Sequence, residues 1–127
     1  IRLVQALSKS YGFKCVFYWQ PVLFTKQHLT EYERKSLEMD VSYPGMKEFY
    51  LETYKNIKQC SANLEKEIAF HDISSIFQDV QEPIYTDFNH MGDKGNRTIA
   101  KRMIQDMEQL LIKAEKSNPS PKDLVKE

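Results

Sequence analysis

The chain has 127 residues, 41% of them hydrophobic and 28% charged, enough for one modest domain with a single core. Lys plus Arg and Asp plus Glu each number 18, so the formal charge is zero. A general polyanion binder draws affinity from excess cations, so no nucleic-acid partner is expected. No apolar run approaches the ~20 residues needed to cross a bilayer. The two cysteines, Cys15 and Cys60, do not make a disulfide framework. Both fall in apolar patterns and read as buried free thiols.

Ile1, Val4, Leu7 and Tyr11 recur at helical spacing, and Gly12 stands where a helix C-cap would. The run Phe13 to Trp19 is apolar and aromatic almost throughout and is ended by Gln20-Pro21. It reads as a strand covered on both faces, as in a parallel sheet flanked by helices. Proline cannot donate to a ladder, so pairing should stop near Pro21. Residues 22–29 read as a loop. Thr30 can cap a helix beginning at Glu31, with Glu33 completing an approximate capping box.

Tyr43-Pro44-Gly45 punctuates the chain. The stripe Met46, Phe49, Tyr50, Tyr54, Ile57, Cys60 and Leu64 then predicts a long amphipathic helix. Ile68-Ala69-Phe70 reads as a second strand. Asp72 can cap a brief helical turn through Ile73, Ile76 and Phe77. A polar stretch leads through Ile84-Tyr85-Thr86 to Asp87. A last helix is expected from about Asp93, with the stripe Ile99, Met103, Met107, Leu110, Leu111 and Ala114. Residues 116–127 read as a polar tail.

Alternating strands and helices argue for an α/β fold with parallel strands. Two parallel strands make a poor sheet by themselves. Their apolar character, and a first residue that enters directly on a helical pattern, lead us to expect that residues 1–115 are part of a larger domain. Its remainder would lie N-terminal to Ile1.

The chemistry concentrates in Asp87-Phe88-Asn89-His90, in the loop before the last helix. A serine hydroxyl is a weak nucleophile and needs a base within hydrogen-bond reach. Histidine, with an unperturbed pKa of about 6.5, suits that role. A carboxylate on its other ring nitrogen fixes the tautomer and stabilises the imidazolium as it forms. The short spacing makes a local Asp–His contact inexpensive in loop entropy.

The run Tyr85-Thr86-Asp87-Phe88-Asn89-His90, followed by Gly95-Asn96, Ile99-Ala100 and an amphipathic helix, resembles the last conserved block of the SGNH/GDSL hydrolases. His71 to Phe77 resembles the segment that often precedes that block. Phe17 to Leu23 resembles a strand whose end leads into a loop before the long helices. The resemblance implies the C-terminal portion of a three-layer α/β/α, flavodoxin-like sandwich with a mostly parallel sheet. It implies His90 as general base and then acid, Asp87 as its orienting carboxylate, and hydrolysis of a small-molecule, carbohydrate or lipid ester. No metal or organic cofactor is implied. The chain departs from the family in lacking its Gly-Asp-Ser-type serine motif and the intermediate glycine and asparagine blocks of the oxyanion hole. On its own it is therefore expected to be inactive.

The other polar residues read more plainly. Ser74 and Ser75 suit a short-helix hydroxyl role better than a nucleophile's. His71, Asp72, Asp87, His90 and Asp93 lack the spacing of a metal site. His28 reads as a surface loop residue, and Trp19 and the tyrosines as packing. Gln20, at the end of an apolar strand, is a candidate substrate contact, because ligands of parallel sheets bind beyond the strands' carboxyl ends. The competing reading is a non-catalytic α/β module that binds a protein through its long helices.

Overall fold

In the computed structural model residues 1–40 and 43–117 are described, without the side chains of residues 40 and 113–117. The chain divides into two compact units, Ile1–Gly92 and a second beginning at Asp93. The first holds helix α1 (Arg2–Tyr11), strand β1 (Phe17–Trp19), a 3-10 turn (Leu23–Thr25), helices α2 (Glu31–Asp40) and α3 (Met46–Glu67), and strand β2 (Phe70–Asp72). The second unit begins with helix α4, Asp93–Ser117. No helix among the described residues is long and apolar enough to cross a membrane.

The two strands are parallel, with Phe17 opposite Phe70, Tyr18 opposite His71 and Trp19 opposite Asp72. A parallel pair needs a crossover connection, here supplied by α2 and α3. This is a small mixed α/β arrangement. The second strand lies two residues later than the sequence pattern suggests. Helix α3 runs on to Glu67, and the N–H of its extended cap residue Ile68 still donates to the Leu64 carbonyl. Ile68 is thus spent on ending the helix, and Ala69 enters the ladder only as the acceptor for Phe17 N–H, at 2.8 Å. The first strand is likewise shorter than the apolar run, beginning at Phe17 rather than Phe13.

Helix ends follow local chemistry. Gly12 closes α1 at φ +72°, its N–H donating to the Ser8 carbonyl; a left-handed position of this kind favours glycine. Gly45 opens α3 at φ +82°. At the start of α2 the capping box forms in both directions. Glu33 N–H donates to Thr30 Oγ1 at 3.3 Å, and Thr30 N–H donates to Glu33 Oε2 at 2.9 Å.

The core does not lie where the helix stripes suggest. It consists of Val22 and Leu23 after β1, Phe70, Ile73 and Phe77 in and after β2, and Ile84 and Tyr85. Beyond β2 the chain makes successive i to i−3 turns, Ile76 N–H to Ile73, Gln78 N–H to Ser75 and Val80 N–H to Phe77. Helix α3 has no fully buried residue, Phe49 is 67% exposed, and Cys60 is exposed rather than buried. Cys15 is half-buried. The reason is geometric. A helix of 22 residues spans about 33 Å, whereas strands of three residues span about 10 Å. So narrow a sheet covers only part of the stripe. Helix α1 has no buried residue, and Leu3 and Leu7 on it are 73% and 42% exposed.

Helix α4 begins at Asp93, as its sequence pattern indicates, with a carboxylate in the first turn to complement the helix dipole. Asp93 pairs with Arg97, and Asp106 with Arg102, one turn apart. Lys116 and Ser117, the first residues of the polar tail, belong to this helix. The rest of the tail, 118–127, lies outside the described residues.

Candidate functional site

Asp87 and His90 come together within one tight loop of the first unit. Asp87 Oδ2 lies 2.6 Å from His90 Nδ1. Asp87 Oδ1 accepts the N–H groups of Asn89 at 2.8 Å and His90 at 2.7 Å. One carboxylate oxygen thus folds the loop around itself while the other holds the imidazole. Slight burial pushes the Asp87 carboxyl up. The two backbone N–H groups and the His90 ring outweigh this and hold it below its ordinary value of 3.8. An ionised carboxylate can only accept. The proton of neutral His90 is therefore placed on Nδ1, and Nε2 is left as the basic nitrogen. The His90 side chain is 74% exposed, so a reacting group can reach it.

The loop stands on a clamped base. Tyr85 and Met91 form an antiparallel bridge. Thr86 N–H donates to the His90 carbonyl and Gly92 N–H to the Ile84 carbonyl, both at 2.9 Å. From outside the loop, Leu23 N–H donates to the Phe88 carbonyl at 2.9 Å, and the Tyr32 hydroxyl donates to the Thr86 carbonyl at 3.0 Å.

The strongest anchor is Glu33. Its Oε1 accepts the backbone N–H groups of Ile84 and Tyr85, at 2.9 and 3.2 Å. Its Oε2 accepts Lys26 Nζ at 2.5 Å, and both side chains are fully buried. Lys26 Nζ also donates to the Glu82 carbonyl at 2.7 Å. Burial acts to raise the Glu33 pKa. The N–H of Ile84, the Lys26 ammonium and the remaining hydrogen bonds overcome it and lower the value from 4.5 to about 2. The capping role of Glu33 is readable from Thr30-x-x-Glu33. Its reach to Ile84 and Tyr85, and the reach of Lys26 to the Glu82 carbonyl, are not, because these partners are more than fifty residues apart in sequence. The signal that exists is a lysine set just after the apolar Val22-Leu23-Phe24.

Beside the loop, at the carboxyl end of β1, lies a cleft of about 460 Å³. Its aromatic wall includes Tyr18 and Trp19 of β1 and Phe49, Tyr50 and Tyr54 of α3. Gln20, Thr53 and Asn89 supply polar groups. The candidate contact Gln20 is therefore at a cavity whose lining also includes Asn89, the residue that precedes His90. The Tyr54 hydroxyl donates to the Gln20 carbonyl at 2.8 Å. Burial, then Tyr50 and Asp72, push that hydroxyl's pKa up, so it stays a donor. The Trp19 indole N–H is buried without an acceptor among the described residues.

Ser74 and His71 make contacts within the fold. Ser74 is buried, its N–H donating to Asp72 Oδ1 at 2.9 Å and its carbonyl accepting from Thr25 Oγ1 at 2.8 Å. His71 stacks on Tyr18, with ring centroids 5.3 Å apart. His28 is exposed. Among the described residues no group of three or more His, Cys, Asp or Glu is arranged to hold a metal. No family model, curated protein or solved structure matches this chain.

Proposed function

We propose that the chain supplies the Asp87–His90 end of a Ser-His-Asp triad in an SGNH/GDSL-like ester hydrolase. The observation that carries this reading is the 2.6 Å contact between an ionised Asp87 carboxylate and Nδ1 of an exposed His90. That pairing leaves Nε2 free to take a proton from an alcohol nucleophile and return it to the leaving group. Asp87 orients the ring and stabilises the imidazolium, while Glu33, Lys26 and Leu23 hold the loop in place. The serine and the oxyanion donors come from a segment outside these 127 residues. That segment also completes a three-layer α/β/α sandwich around the two parallel strands. The uncovered apolar side chains of α1 support such a completion, because a third layer would bury them.

The test is ester hydrolysis by the product of the whole gene, compared with its His90→Ala variant. General acid–base groups contribute about 10²–10⁴-fold, and a loss of at least that size is expected. Equal turnover by the two proteins would remove His90 from the mechanism.

The exposed apolar face of α1 also supports a second reading, a non-catalytic module that binds a protein partner. The two diverge on labelling: a fluorophosphonate should label the whole-gene product under the first and leave it unlabelled under the second.

A further inference from the structure

The cleft at the end of β1 adjoins the Asp87–His90 loop through Asn89, and its lining is chemically selective. None of the side chains that line it carries a charge at neutral pH. A charged ligand would lose its hydration there without gaining a counter-charge. Tyr50 and Tyr54 lie 6.4 Å apart in a tilted pair, and Trp19 lies 5.3 Å from Tyr54, so several rings share one wall. Aromatic faces carry partial negative charge and attract the partly positive C–H groups of an apolar ligand face. The same wall carries two amide side chains, Gln20 and Asn89, and the Thr53 hydroxyl. Amides offer both donors and acceptors. A plain hydrocarbon chain would strip water from these groups and give nothing back, which is unfavourable. A neutral pyranose ring satisfies both demands, with a C–H face for the rings and a rim of hydroxyls for the amides. The volume of about 460 Å³ falls within the range of small-molecule sites.

We propose that this cleft binds the neutral sugar ring of an O-acylated carbohydrate, so that the ester presented to His90 is a carbohydrate ester; its esterified part rests on the triad reading above. Tyr18, Tyr50 and Tyr54 supply stacking surface, and Gln20 and Asn89 supply hydrogen bonds to the ring hydroxyls.

Trp19 is the sole tryptophan of the chain, so its fluorescence reports on this wall directly. The protein is titrated with xylotriose, cellobiose and di-N-acetylchitobiose, and separately with monooctanoylglycerol as a lipid probe. A saturable change in emission with at least one saccharide is expected. It should weaken by about tenfold in Tyr50→Ala and in Gln20→Ala, the loss of one good contact. The Gln20 side chain is exposed, and it is the backbone carbonyl that holds Tyr54, so this second variant keeps that contact. A response to monooctanoylglycerol alone, or to none of the probes, overturns the proposal. So does a saccharide response that both folded variants retain. A change that follows protein concentration and that none of the saccharides alters marks an interface between copies, and also overturns it. The saccharide titrations involve no ester bond, so their outcome is separate from the triad's. Hydrolysis that depends on His90 with no saccharide response would remove the sugar and leave the triad, and the reverse pair of results would do the opposite.

Discussion

At the scale of single residues, the site depends on carboxylates held ionised by hydrogen bonds. Asp87 ties its own loop and fixes the His90 tautomer. Nitrogen-15 NMR of neutral His90 should show the proton on Nδ1, and Asp87→Ala should shift the population toward the Nε2-protonated form; the same tautomer mixture in both would contradict the assigned role. Glu33 makes a pH prediction. Its folded pKa of about 2 lies below the ordinary 4.5, so it contributes stability above pH 4.5. That contribution, roughly 3 kcal/mol from the size of the shift, is lost as pH falls from about 4.5 through 2. Asp87, also depressed, acts in the same direction. Urea titrations at pH 7 and at pH 2.5 should show the fall, and Glu33→Gln should flatten it. The Asp-x-x-His contact was legible in sequence because both partners lie on one turn of chain. Glu33's grip on Ile84 and Tyr85 was not, since local pattern says nothing about which distant amides a buried carboxylate will meet.

At the scale of elements, what fixes the loop is the start of α2. Thr30→Ala removes the cap hydroxyl that accepts Glu33 N–H and should destabilise by about 1 kcal/mol. Glu33→Gln leaves the buried Lys26 ammonium without its carboxylate, a loss on the order of 3–5 kcal/mol. Hydrogen exchange should quicken at the Ile84 and Tyr85 amides beyond what global destabilisation explains. Unchanged local protection there would show that Glu33 stabilises the fold without positioning the loop. Helix starts and ends were readable from Thr30, Gly12, Gly45 and Asp93 because caps are local chemistry. Strand limits were less so. An apolar run such as Phe13 to Trp19 says what can be buried, while the ladder's length depends on where α3 releases the partner chain at Ile68.

At the scale of the whole molecule, the apolar stripes and the packing disagree, and the disagreement is informative. The stripes of α1 and α3 were legible, but a two-stranded sheet covers them poorly, and large side chains such as Leu3, Leu7 and Phe49 stay exposed. Such surface tends to associate, so sedimentation velocity of the 127-residue chain should show self-association that rises with concentration; a persistent monomer would count against the incomplete-sandwich reading. The serine that the proposed triad requires was not legible, because no motif in these residues supplies one. The most direct test of the triad is therefore made on the product of the whole gene, labelled with a fluorophosphonate and analysed by peptide mass spectrometry. The label should fall on a serine outside Ile1–Glu127 and should be lost in His90→Ala. Labelling that persists undiminished in His90→Ala would contradict the account.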